Sequence, residues 1–172
     1  MSPKSTILAG LYDQSVWLRV GGRGTFQTSA GMKEYSRRMI QKGYRAFVID
    51  LEDCELMDST FMGTMAGIAL RLRELGSGGL TVLHANTRNR SLLENLGLDH
   101  LFASELAEGM RMAPRQAAKE TLPPATSDTT TQQATILSAH EALVEADPEN
   151  EERFKDVLEL LKQESPSDAG ES

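Results

Sequence analysis

The sequence predicts an α/β fold, a small mixed β-sheet with helices packed against it, and three observations carry that prediction. Short β-branched apolar segments alternate with stretches of helical period through residues 1–112. One of those segments, residues 45–51, is too uniformly apolar in its middle for a strand with one wet face, and residues 79–83 read as a second central strand. Their order, strand and helix in alternation, is that of parallel neighbours joined by crossover helices.

Residues 16–20 read as a strand because β-branched and aromatic residues dominate, and Gly21-Gly22 closes it. Residues 5–11 supply its partner across a polar turn at Asp13-Gln14. After Gly24, the positions Met32, Tyr35, Ser36, Met39 and Ile40 recur at three- and four-residue steps, one face of a helix that ends at Gly43. Lys33, Arg37, Arg38 and Lys42 fall mostly off that face.

Residues 45–51 follow as a central strand covered on both sides. Asp58-Ser59-Thr60 marks the next helix start, and Phe61, Met62, Met65, Ile68, Ala69, Leu72 and Leu75 continue it as a stripe to Gly76. A second central strand at 79–83, a short helix over 87–96 ended by Gly97, and a last strand or connection at Leu101-Phe102 complete the domain.

Charge divides the chain. Of its 172 residues, 18 Lys+Arg stand against 25 Asp+Glu, a net charge of −7, yet residues 1–112 hold 13 basic and 12 acidic side chains and residues 113–172 hold 5 and 13. We therefore expect a nearly neutral domain over 1–112, a flexible Pro- and Thr-rich linker over 113–134, an acidic helical hairpin over 135–164 and a disordered C-terminus over 165–172. Ile136, Leu137, His140, Leu143 and Val144 form one stripe of the hairpin, and Phe154, Val157, Leu158 and Leu161 the other. Two short helices bury little surface alone, so the hairpin should pack on the domain, on another copy or on a partner.

Several function classes fall away. The acidic balance argues against direct nucleic-acid binding, which needs clustered Lys and Arg. No run approaches the ~20 apolar residues that span a bilayer, and the first residues lack the apolar stretch of a signal peptide, so we expect no membrane partner and a cytoplasmic location. The single Cys54 fits a reducing compartment. HExxH, CxxC and GxSxG do not occur, and His84, His100 and His140 lie far apart, so no catalytic residue, metal or cofactor is predicted.

Gly21-Gly22-Arg23-Gly24 lacks the spacing of a phosphate loop and reads as a turn needing permissive backbone angles. Cys54, flanked by Asp53 and Glu55, reads as a small structural residue. Glu52, Asp53, Glu55 and Asp58 read as a solvated loop, because no second group of ligands accompanies them. Met57, Met62 and Met65 read as core.

The segment FVIDLEDCELMDSTFMGT, residues 47–64, resembles the one that defines STAS domains of the bacterial anti-sigma-factor antagonist type. That pattern is a buried strand, an Asp-Leu start to a loop, then M-D-S-[S/T]-G-L-G opening a helix. The likeness spans residues 5–112 in element order and departs where Phe61-Met62-Gly63 replaces G-L-G. Phe61 reads either as core or as an enlarged partner surface.

The resemblance implies a STAS-like fold and a non-enzymatic binding protein whose partner is an anti-sigma factor that is also a serine kinase. Unmodified protein would capture the kinase, phosphorylation of the serine after the motif aspartate would end the interaction, and a serine phosphatase would restore it. This is partner switching in transcription regulation. Carried over residue by residue, the phosphoacceptor is Ser59, Thr60 is a weaker candidate, and the partner surface is Asp58, Ser59, Thr60, Phe61, Met62 and Gly63.

Elementary chemistry is compatible with that switch. A hydroxyl at a helix start meets free N–H groups and remains within a kinase's reach. A phosphoryl group adds about −1.5 to −2 charges and three acceptor oxygens, which a surface fitted to neutral Ser59 beside Asp58 would repel. The plain alternative is that both residues only cap the helix. Two other classes stay open: a small-ligand binder or enzyme using the carboxylates from Asp50 to Asp58, and a structural adaptor joined through its C-terminal helices. The acidic tail lies outside the resemblance and has four readings: docking on the kinase, self-association as a homodimer, covering the domain, or solvated charge.

Overall fold

The computed structural model describes residues 5–124 and 128–164. The C-terminus expected to be disordered, 165–172, and part of the expected linker, 125–127, lie outside the described residues.

Strands β1 (Thr6–Tyr12) and β2 (Ser15–Gly24) form an antiparallel hairpin, with Ala9 opposite Leu18 and Leu11 opposite Val16. Asp13 and Gln14 both take positive φ, 50° and 65°, the two-residue turn whose twist matches that of the strands. β2 does not stop at Val20. Gly21-Gly22-Arg23-Gly24 continues it, and the permissive angle, φ 75° at Gly22, serves a bulge where the register slips rather than a turn.

Beyond the bulge, β2 pairs in parallel with β4 (Cys54–Met57), where a solvated loop was expected. The chain is turned onto that path by the Cys54 N–H donating to the Leu51 carbonyl and the Gly22 N–H donating to the Asp53 carbonyl, both at 3.0 Å. Helix α1 (Phe26–Gln41) follows β2, with Thr25 as its N-cap. β3 (Ala46–Asp50) lies parallel to β2, and β5 (Gly79–Leu83) parallel to β3. Between β4 and β5 runs α2 (Ser59–Glu74), and α3 (Thr87–Asn95) follows β5. The strand order is β5-β3-β2-β1, with the two-residue strand β6 (Glu120–Thr121) on the outer edge of β1.

β3 is covered on both faces, as its composition predicts. Phe47 and Ile49 join the main core with Met32, Phe61 and Met65, while Val48 packs with Trp17 and Leu83 beneath Tyr12, Leu106 and Met110. Met57, Met62 and Met65 are all buried.

The segment expected to be a linker contains a 3-10 turn (Arg115–Ala117), the two-residue strand β6 (Glu120–Thr121) paired with β1, and the start of α4 (Thr129–Ala146), capped by Asp128. Gly10 makes this docking possible, because a Cβ there would overlap the Ala117 carbonyl. No apolar period marks this stretch; backbone pairing and the buried Leu122 hold it. A short helix α5 (Asn150–Arg153) and α6 (Lys155–Glu164) follow α4. The buried Asn150 fixes the corner by donating from Nδ2 to the Leu96 and Leu143 carbonyls, at 2.9 and 2.8 Å.

Eleven of the sixteen residues of α2 are buried, so this helix has no solvent face of ordinary width. The sheet covers one side and α4 the other. No helix among the described residues is long and apolar enough to cross a membrane.

Candidate functional site

The start of α2 is held by one carboxylate with two tasks. Asp58 Oδ1 accepts from the Phe61 N–H at 2.8 Å, capping α2, and Oδ2 accepts from the Phe26 N–H at 3.0 Å, at the start of α1. The Asp58 N–H in turn donates to the Gly24 carbonyl at 2.8 Å. Two helix N-termini therefore converge on Asp58.

Burial pushes the Asp58 carboxyl above its ordinary value, outweighing the two N–H donors and the nearby His140. A raised pKa in the folded state means that the folded chain holds this proton more tightly than the unfolded chain. The contribution is then fully present below the ordinary carboxylate value and is lost as pH rises through the raised one. We expect the stability of the chain relative to Asp58→Asn to fall as pH rises from about 4 through that window, as read by urea denaturation at stepped pH. A flat difference would show no shift.

Ser59 is the first residue of α2 and is half-buried. Its Oγ lies 3.0 Å from Nε2 of His140, which reaches it from α4 across 81 positions of sequence. The other ring nitrogen, Nδ1, lies 2.8 Å from the Ile136 carbonyl. A carbonyl only accepts, so in the neutral imidazole Nδ1 carries the hydrogen and Nε2 accepts from the Ser59 hydroxyl. His140 is 3% exposed and meets Phe154 of the α5–α6 corner edge-on at 4.9 Å.

The remaining expected site residues are enclosed. Thr60, Phe61, Met62 and Gly63 are all buried, which puts the weaker phosphoacceptor candidate out of reach in this arrangement. Phe61 faces the core, fully buried, and its ring lies against Gly24, where a Cβ would stand 2.5 Å from Phe61 Cδ2. Gly63 seats the backbone of α4, since a Cβ there would overlap the Ala139 carbonyl. Only Asp58 and Ser59 of the six keep appreciable surface.

His140 belonged to a tail stripe, and its pairing with Ser59 had no local signal. What pointed to it was a polar residue on an otherwise apolar helical face, which needs a partner once buried.

Beside α4 a groove of about 430 Å³ opens between α1 and α2. Ile40, Gly67 and Ile68 contribute its apolar wall, and Lys33, Arg37 and Arg71 its cations, with no acidic side chain in the lining. Arg37 and Arg71 pair with Glu34 and Glu74 on their own helices. Lys33 donates from Nζ to Ser138 Oγ at 2.8 Å, and burial pushes its pKa down.

A second cluster lies at the ends of β3 and β5. Asp50 Oδ1 stands 2.9 Å from Nδ1 of His84, and Glu52 brings its carboxylate within 4.8 Å of both. His84 is thus the further donor type that the sequence did not place beside these carboxylates. Arg19 already sits among them, 3.7 Å from Asp50 and Glu52 and 3.6 Å from Asp53, while Arg115 binds Asp53 at 2.7 Å. The loop expected to be merely solvated is an arginine-centred ion-pair network. Cys54 is buried with its thiol pKa raised, mainly by that burial, and acts as a packing residue.

Residues 8–107 match the family described as "Mlab, STAS domain". No curated protein matches the chain. Among solved structures, a protein of Thermotoga maritima provisionally named an anti-sigma-factor antagonist shares 19% identity at a TM-score of 0.53, covering 59% of this chain and 87% of that one. The anti-sigma-factor antagonist SpoIIAA in its unphosphorylated form shares 19% identity at a TM-score of 0.50, covering 59% of this chain and 90% of its own. At such identity the likeness is one of fold. Helices α4 to α6 follow the family match, which ends at residue 107. With its β5-β3-β2-β1 sheet and the aspartate-capped α2 inside the matched region, the chain belongs to the Mlab STAS-domain family.

Proposed function

We propose that the chain is a phosphorylation-controlled binding module of the anti-sigma-factor antagonist kind, switched at Ser59. The observation that carries this reading is the division of labour at the start of α2. Asp58 does the capping, accepting from the Phe61 N–H, so the Ser59 hydroxyl is not needed to hold the helix. Its side-chain partner is His140 of α4, and once free of that contact it stands at a helix N-terminus, where phosphate oxygens meet unpaired N–H groups and the positive end of the dipole. This favours a switch over plain capping, in which both side chains would serve the helix.

In this reading the partner is an anti-sigma factor or serine kinase in the cytoplasm, a serine phosphatase resets the module, and the chain carries out no chemistry of its own. The partner surface is the start of α2, with Asp58 and Ser59 at its exposed edge. Phosphorylation places about −1.5 to −2 further charges beside Asp58 and leaves the domain folded.

The test is a pull-down from native cytoplasm with and without ATP, followed by mass spectrometry of Ser59. Unmodified chain and Ser59→Ala are expected to capture an ATP-binding serine kinase, and Ser59→Asp to capture at least tenfold less. Kinase capture that ignores the state of Ser59 would sink the switch.

A further inference from the structure

We infer that α4 is a displaceable cover, occupying the site on α2 where a partner lays an acidic helix with a small residue at the crossing point. The inference rests on the reading of the α2 start as a partner surface and adds what docks there and what must leave first.

Three features of the α2–α4 contact lead to it. The first is the need for a cover. α2 is buried on nearly all sides, so its outer face requires an apolar partner whether or not α4 supplies one. The region that matches the family ends before α4 begins, so this cover lies outside the matched domain.

The second is what α4 places in an otherwise extensive contact. Its buried positions are Thr135, Ala139, His140, Ala142 and Leu143, of which Leu143 alone is a large aliphatic. Ala139 lies on Gly63, Ala142 lies on Gly67, and the polar ties near the crossing are His140 to Ser59 and Lys33 to Ser138. The groove of about 430 Å³ beside this crossing stays unfilled, because α4 offers it only Ser138 and Ala139. A helix with the same small residue at the crossing and a large apolar side chain one position earlier would fill it.

The third is charge. The groove wall carries Lys33, Arg37 and Arg71, the two arginines paired with Glu34 and Glu74, and α4, which borders it through Ser138 and Ala139, has Glu141 near Lys33 and no Lys or Arg.

The cover also bears on Ser59. With His140 in place, its Oγ has an imidazole nitrogen at 3.0 Å, a hydrogen bond that phosphorylation must break and that lifting α4 removes. Partner helix and kinase then draw on the same open form.

The experiment uses the full chain and a fluorescein-labelled peptide of residues 128–147. Ala139→Phe prevents the chain's own α4 from seating on Gly63 while leaving every residue of the domain unchanged. This variant is expected to bind the peptide at least tenfold more tightly than the unsubstituted chain, and a peptide carrying the same Phe is expected not to bind. Gly67→Cys with Ala142→Cys brings Cβ atoms to 3.8 Å, within the span of a disulfide. Oxidised, that chain should show slower amide exchange through α4 than in its reduced form.

A folded Ala139→Phe chain that captures no peptide, or one that dimerises by trading α4 between copies, overturns the inference. If Ala139→Phe does not fold, amide exchange of the unsubstituted chain decides. Exchange in α4 at least a hundredfold faster than in β3 supports a cover, and equal protection makes α4 part of the core. No step needs a kinase, so peptide capture that Ser59→Asp leaves unchanged would refute the switch and leave helix exchange standing.

Discussion

Phe61→Ala is expected to lower the unfolding free energy by about 3–5 kcal/mol, the loss typical of a fully buried aromatic side chain. Urea denaturation followed by circular dichroism measures it. The more telling experiment pairs Phe61 with Gly24. The family pattern has glycine where this chain has Phe61, and here Gly24, on the facing strand end, leaves room for the ring. Adding a methyl at Gly24 puts it 2.5 Å from Phe61 Cδ2, so Gly24→Ala should cost about 1–3 kcal/mol. In a Phe61→Leu background the same change should cost at least about 1 kcal/mol less. Equal costs in the two backgrounds would mean that the two positions do not compensate one another.

The two glycines of α2 that face α4 should respond in opposite directions. Gly63→Val drives side-chain atoms into the Ala139 carbonyl, part of a backbone that cannot yield locally, and is expected to cost about 3 kcal/mol and to detach α4. Protease cleavage near residues 123–128 would report that detachment. Gly67→Ala meets only the Ala142 methyl at 3.8 Å, an ordinary contact, and gains about 1 kcal/mol of helix propensity. Two destabilised variants would mean that the crossing is equally tight at both turns.

Much of the domain was legible because its signals are local. The alternation of β-branched strands with helical stripes placed β1, β3, α2 and β5 within a few residues, and Asp58 marked the start of α2 through its own capping chemistry. What escaped was set by contacts between distant segments. β4 looks like an acidic loop because Glu55 points to solvent, and it is a strand only through its pairing with β2 beyond the Gly22 bulge. β6 is two residues, Glu120 and Thr121, with no pattern to read, and it exists because β1 has a free edge and Gly10 admits the neighbouring carbonyl.

The site divided in the same way. Asp58 and Ser59 were visible from their order at a helix start, whereas the seat of Ala139 on Gly63 and the Ser59–His140 pair, 81 positions apart, had no local signal. An amphipathic reading of α2 sees only the stripe that meets the sheet. Small residues on its other side, Gly63 and Gly67 among them, carry no hydropathy signal, yet they are what lets a second helix approach so closely.

The route of the chain into α4 has a quantitative consequence. The Leu122 N–H donates to the Ile7 carbonyl at 2.9 Å, and the Pro123 carbonyl lies against Gly31 of α1, so the strap is pinned on the domain just before the cover begins. Five residues, Pro124 to Asp128, remain between that pin and α4, and such a length spans at most about 18 Å. A lifted cover therefore stays near its seat at a local concentration on the order of millimolar. A partner present at micromolar concentration must bind α2 roughly a thousandfold more tightly than α4 does in order to win. The short tether makes the module selective for affinity rather than abundance, and it would stay silent toward weak helices however many surround it.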